Sequence, residues 1–348
     1  MGPTLPALRG GLTALVAAVL FGISTPLVQR YGHGVGSFST AALLYAGAAL
    51  VGALLRRPVR REARLSRGDA PRLVWMALFG AVAGPVALAW GLQHTSGTSA
   101  SLMLTLEAVF TAALARFWYH ETLDRRVTLA MALLTFGGMS LVFDRAESGG
   151  GQMWGLLAVT VATAAWGVDN SLSRTLAERD PGQVVMFKGA LGALATTLLA
   201  VAFGEPLPDL ASAFALFVIG ASGYGLSLRF YLLAQRAFGA ARTGSVFAFA
   251  PFVGAALAAA MGDRSGSAWM FGGAALMLLG LALHLAEKHA HEHAHESMAH
   301  EHAHRHDDGH HTHTHEPMPL GPHSHAHQHM AMRHAHGHVP DEHHAHSH

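Results

Sequence analysis

The chain has 348 residues, 51% of them hydrophobic and 13% charged, although the segment from Lys288 onward is strongly polar; the remainder must be lipid-soluble, which excludes an ordinary water-soluble enzyme. The absence of cysteine excludes a disulfide framework and a thiolate metal site, and the formal charge of +1 directs the chain to no nucleic acid or other particular partner.

Residues 1–11 carry one arginine and lead straight into a long apolar run with no small-residue cleavage pattern, so they are read as part of a retained first helix and not as a signal peptide. Apolar runs then follow at approximately 12–29, 35–55, 73–94, 98–119 and 127–144, and again at 152–173, 183–204, 210–234, 241–262 and 267–287. Each is near the roughly 20 residues that span a bilayer. None alternates with the period of a barrel strand, and backbone groups in hydrocarbon must be satisfied within the segment, so the runs predict helices.

The ten runs fall into two fives. Residues 99–144 return 143 residues later: Ala112-Ala113-Leu114-Ala115 falls on Ala255-Ala256-Leu257-Ala258, Ala132-Leu133 on Ala275-Leu276 and Gly137 on Gly280. At an offset of 145, Phe21-Gly22 falls on Trp166-Gly167 and Leu27 on Leu172. The expected fold class is an all-α membrane protein of ten transmembrane helices in two inverted five-helix repeats, 1–147 and 148–287, followed by a disordered tail, 288–348.

Orientation follows from the arginines. Arg56, Arg57, Arg60, Arg61, Arg64, Arg67 and Arg72 lie between runs two and three, and Arg125, Arg126, Arg174, Arg179, Arg236 and Arg242 in the alternate loops on the same side. The opposite loops hold Arg30, Arg145 and Arg264. The positive-inside rule then places both termini in the cytoplasm of a bacterial cell, with the chain in its inner membrane. Five spans per copy is an odd number, so the second copy enters the membrane from the other side, an arrangement found in many secondary transporters. A receptor or a structural membrane protein has no need of it, whereas channels can also carry inverted repeats. No G-x-x-x-x-G-K-[ST] loop is present to drive a primary pump.

The aromatic-glycine pair early in runs one and six, Leu106-Glu107-Ala108-Val109-Phe110 with its echo Phe249-Ala250-Pro251-Phe252, and the acidic end of run four at Glu121 resemble the EamA-type family of the drug/metabolite transporter superfamily. The similarity covers about 12–287. It implies a ten-helix exporter of small solutes that does not hydrolyse ATP. Ala108 stands where that family often has proline, and His120 where a glycine often precedes the glutamate.

Each charge inside a bilayer costs roughly 2.5 to 3.5 kcal/mol at a helix centre on insertion scales. Four stand well inside the runs, Glu107, Asp169, Lys188 and Arg229, and their counterparts in the other copy are Ala250, Ser24, a leucine near position 43 and Val86. Mutual neutralisation across helices and a substrate role are both open readings of these four. Helical spacing adds Ser99 and Met103 to the face of Glu107, pairs Trp90 with His94, and pairs Trp166 with Asn170. Trp90, His94, Met103, Glu107, Trp166, Asp169, Asn170, Lys188 and Arg229 are therefore the candidate substrate-binding residues. Ordinary packing competes for Met103, a place at the outer mouth for His94, and service to a helix N-terminus for Glu121.

The tail holds 23 of the 27 histidines. They recur as H-x-H at His289, His291, His293 and His295, at His300, His302, His304 and His306, at His311, His313 and His315, and at His323, His325, His327 and His329. Neutral imidazole binds borderline divalent ions, so these are the candidate metal ligands, in several interchangeable sites on a chain unable to bury a core. The zincin-like His291-Glu292-x-x-His295 is expected by chance in such a segment.

Together these features predict a proton-driven exporter of nickel, cobalt or zinc, not an enzyme, whose cytoplasmic tail captures the ion. No cofactor is required. The partners expected are the bilayer, the small solute or metal substrate, and a second copy in a homodimer. Two other readings remain: an exporter of an amino acid or similar metabolite with a metal-buffering tail, and a membrane-anchored metal store or sensor.

Overall fold

The computed structural model describes residues 5–56, 63–118, 125–147, 150–173, 176, 179–238, 240–263, 266–285, 290–295, 298–304, 323–329 and 332–337. The first half holds α1 (Leu5–Gly32), α2 (Ser37–Leu55), α3 (Ala70–Ala77), α4 (Gly84–His94), α5 (Gly97–Met103), α6 (Leu106–Trp118) and α7 (Arg125–Glu147). The second holds α8 (Gly150–Ser173), α9 (Pro181–Ala202), α10 (Leu210–Ile219), α11 (Ser227–Phe238), α12 (Ala240–Phe247), α13 (Ala250–Ala260) and α14 (Ala268–Leu285). A π-helical turn, Leu78–Ala83, joins α3 to α4, and another, Gly220–Leu226, joins α10 to α11.

Eight helical segments among the described residues are long and apolar enough to cross a membrane. Of the ten expected spans, two fall outside that set. The apolar stretch of α14, Ala268–Leu283, is shorter, and α8 is long enough but carries Asp169 and Asn170, which lower its mean hydropathy. Glu121 and His120 lie outside the described residues.

The two halves pack through matching pairs of helices. α2 runs along α9 and α7 along α14; α1 packs on α11 as α8 packs on α4, and α1 packs on α13 as α8 packs on α6. The irregularities match as well. The π turns place Gly80 and Gly223 143 residues apart, and the break between α5 and α6 at Leu104 and Thr105 has its counterpart between α12 and α13 at Ala248 and Phe249. Small residues bring the backbones together, as helix contact in lipid requires. A Cβ on Gly137 would come 2.7 Å from the carbonyl oxygen of Gly273, and one on Gly280 would come 2.9 Å from that of Ala130, the same contact seen from each half.

In the tail, the described residues include four extended segments, β1 (Ala290–His295), β2 (Met298–His304), β3 (His323–His329) and β4 (Met332–Gly337), with β1 antiparallel to β4 and β2 to β3. The H-x-H alternation has the two-residue period of a strand.

Replacing Gly137 by Ala should destabilise the α7 to α14 contact by about 1–3 kcal/mol, the usual cost of overpacking. Gly272→Ala, where a Cβ would meet nothing within 4 Å, should leave stability unchanged or raise it by up to about 1 kcal/mol. Thermal unfolding of both variants in one detergent gives the comparison.

Candidate functional site

Pro85 shapes the centre of the molecule. In the first π turn the N–H of Gly84 reaches back to the carbonyl of Phe79, and Pro85 has no N–H to offer Gly80. The carbonyl of Gly80, released from the helix, accepts instead from the hydroxyl of Tyr45 on α2 and, at 3.1 Å, from Nε1 of Trp166 on α8. The bare Cα of Gly80 faces the carboxylate of Asp169, which any Cβ would strike. Asp169, one turn beyond Trp166, is held by Nζ of Lys188 on α9 at 2.5 Å. Both side chains are buried, so each charge depends on the other.

Beside this pair lies a cavity of about 60 Å³, room for a few waters. Its polar wall consists of Glu107, Asp169, Asn170, Lys188 and Ser227, and Asn170 Nδ2 donates to Glu107 Oε1 at 2.5 Å. Its other wall is aromatic: Phe21, Tyr45, Trp166, Tyr224, Tyr231 and Phe247. Phe21 is the hub, edge-on to Trp166 with ring centroids 5.6 Å apart and to Tyr224 at 5.8 Å, and 5.4 Å from Phe247. Edge-to-face contacts of this kind fix ring orientation beyond simple burial.

Five of the nine candidate residues thus meet in one place: Glu107, Trp166, Asp169, Asn170 and Lys188. The other four do not. Met103 is buried in the hydrophobic core and is not among the cavity-lining residues, and the helix breaks at Leu104 and Thr105 between it and Glu107. Arg229 is buried on α11 but is not among the cavity-lining residues. Trp90 and His94 stack on each other, centroids 4.0 Å apart, near the end of α4. There Trp90 lines a separate groove of about 460 Å³ with Val82, Val86 and Glu205.

The aromatic wall was missed by the search for charges. A signal existed: the chain has five tyrosines, and Tyr45, Tyr224 and Tyr231 stand inside apolar runs where a phenolic hydroxyl needs a partner. Among the described residues no group of three or more His, Asp or Glu is placed to hold a metal ion. Of the tail ligands, His291, His293, His295, His300, His302, His304, His323, His325, His327 and His329 fall in the strands. His289, His306, His311, His313 and His315 lie outside the described residues.

Residues 8–143 match the EamA-like transporter family. An uncharacterized transporter of Methanothermobacter thermautotrophicus (strain Delta H) is 25% identical over 283 residues, which cover 74% of this chain and 80% of the archaeal one. A solved crystal structure, 20% identical, shares the fold with a TM-score of 0.56 over 81% of this chain and 96% of its own. The helices and these likenesses define a multi-pass membrane transporter. More particularly, residues 8–143 carry the likeness to the EamA-like transporter family.

Lys188→Met should cost about 3–5 kcal/mol, because it leaves the Asp169 carboxylate buried and alone. Adding Asp169→Asn should recover most of that loss. A double-mutant cycle on unfolding temperature measures the coupling.

Proposed function

We propose that the chain is a secondary exporter of a small organic solute with a net charge of +1, such as a protonated amine. The carrying observation is the wall composition: one carboxylate in excess, facing a cage of aromatic rings. Asp169 is neutralised by Lys188, and Glu107 is bonded to the uncharged Asn170. A cation entering the cavity therefore finds a single charge to balance and π-faces to lie against, contacts worth about 2 kcal/mol or more when desolvated. At about 60 Å³ the cavity is smaller than such a solute, so binding requires it to widen.

The driving force in this reading is proton antiport at Glu107. Its carboxylate holds either a proton or the cation and never both, so one must leave for the other to bind. The matched packing of the halves supports the inverted repeat, with the site between the copies near the midplane. The arginine-rich loops support cytoplasmic termini in a bacterial inner membrane.

The histidine pattern of the tail favours a second reading, capture of nickel, cobalt or zinc by the tail and export through the core. Charge balance weighs against the core as a metal path. A bare dication would leave the cavity with a net positive charge in a medium of low dielectric. In the primary reading the tail buffers metal, and a homodimer is not required for transport.

In proteoliposomes with an imposed pH gradient, Glu107→Gln should abolish proton-coupled efflux of a labelled organic amine, while substrate-free liposome leakage stays unchanged. Retained coupling would sink the assignment of Glu107. As a test of the second reading, cells expressing the chain truncated after Glu287 should release radioactive nickel no faster than cells without the chain. A core that accelerates nickel efflux by itself would replace the organic solute with metal.

A further inference from the structure

Where α1, α5 and α13 meet, hydroxyl groups are buried without a partner. The hydroxyl oxygens of Thr25, Thr98 and Ser101 have no hydrogen-bond partner among the described residues, and the three residues are at most 6% exposed. Pro26 adds an acceptor. It has no N–H for the carbonyl of Gly22 four residues back, and that carbonyl and the Ser101 hydroxyl both lie 2.8 Å from the point where a Cβ on Gly254 would sit.

These groups follow one another along the helices. At the end with Thr95, Asp263 Oδ2 accepts from the backbone N–H of Thr98 at 2.8 Å, and Gln29 Nε2 donates to the carbonyls of Thr95 and Leu92 while its Oε1 lies against Gly97. One turn along α1 from Gln29 comes Thr25, and about one turn along α5 from Thr98 comes Ser101. Ser24 follows, its hydroxyl donating to the carbonyl of Phe21, and it packs against Gly223. Phe21 and Gly223 both line the central cavity.

A helical turn rises about 5.4 Å, close to two hydrogen bonds of about 2.8 Å laid end to end. The spacing of successive levels therefore matches one bridging water. A buried hydroxyl left dry loses its solvation with no return, whereas buried water usually makes about three bonds to groups of this kind. We propose that Ser24, Thr25, Thr98, Ser101 and the carbonyl of Gly22 hold a file of ordered water that joins the central cavity to the face carrying Asp263. The file also supplies the path by which a proton reaches Glu107 from that face. The second statement rests on the reading of Glu107 as the proton site; the first does not.

Two measurements on the full chain in lipid nanodiscs separate these statements. Thr25→Val and Thr98→Val keep side-chain shape and Ser101→Ala loses one atom, so each variant should fold, with circular dichroism as the check. If the hydroxyls hold water, each variant should unfold several degrees below the parent. An unchanged or raised unfolding temperature would mean dry hydroxyls and overturn the file. The second measurement follows the carboxylic C=O infrared band that Glu107→Gln removes, after a sudden drop in pH. Its rise should slow at least tenfold in the Thr25→Val, Ser101→Ala double variant. An unchanged rate overturns the path. A parent with no band sensitive to Glu107→Gln defeats the Glu107 reading and the path with it, while the thermal result still decides the file.

Discussion

One carbonyl group, that of Gly80, sets the geometry on which the rest of the centre depends. In hydrocarbon a backbone oxygen without a donor costs several kcal/mol, so the oxygen left over by the π turn and Pro85 must be satisfied from elsewhere. Tyr45 and Trp166 supply the donors. They fix the rotation of α2 and α8 against the third span, and the rotation of α8 decides where Asp169 and Asn170 point. Because residue 80 is glycine, the Asp169 carboxylate sits directly on its backbone, and Lys188 comes from α9 to neutralise it. Four spans are thus tied at a single residue.

The second half repeats the packing without the charge. Gly223 occupies the place of Gly80 in its own π turn, and what packs against it is Ser24, the counterpart of Asp169. Ser24 satisfies itself on the carbonyl of Phe21 and needs no cation. In the same way Glu107 corresponds to Ala250, where Pro251 and a bare methyl replace a carboxylate. Backbone approach therefore follows the repeat, whereas the chemistry of the cavity comes from α6, α8 and α9 and the aromatic wall from both halves. A scaffold constrained by close helix contact leaves side chains at the interface free to differ.

This division also explains what the sequence made legible. Helix positions and the four interior charges follow from hydropathy and cost, because lipid penalises each charge separately. That Glu107, Asp169 and Lys188 would meet was readable only as a need for neutralisation. Their actual partners depend on helix rotation, which a straight-helix projection cannot supply. Met103 shows the reason: it is four residues from Glu107, yet with the helix broken at Leu104 and Thr105 between them it does not line the cavity that Glu107 lines. Arg229 looked equivalent to Lys188 by composition and lies outside the cavity wall. The aromatic wall escaped because Phe and Tyr are cheap in apolar runs, and only the tyrosine hydroxyls mark a site.

The proposed exchange at Glu107 has an energetic logic that follows from the buried pair. A cavity that moves between two faces of a membrane must not carry net charge through the occluded state, since Coulomb self-energy in a low dielectric is large. With Asp169 and Lys188 locked together, Glu107 is the remaining charge to be balanced among the lining carboxylates and ammonium. A proton neutralises it in one direction and a monocation in the other, so both occluded forms are neutral and the empty, ionised form is the costly one. An empty carrier is thereby discouraged from crossing, which is what tight coupling requires. The Asp169 to Lys188 pair contributes by holding its own charges silent, and removing either partner would give the cavity a second charge to balance.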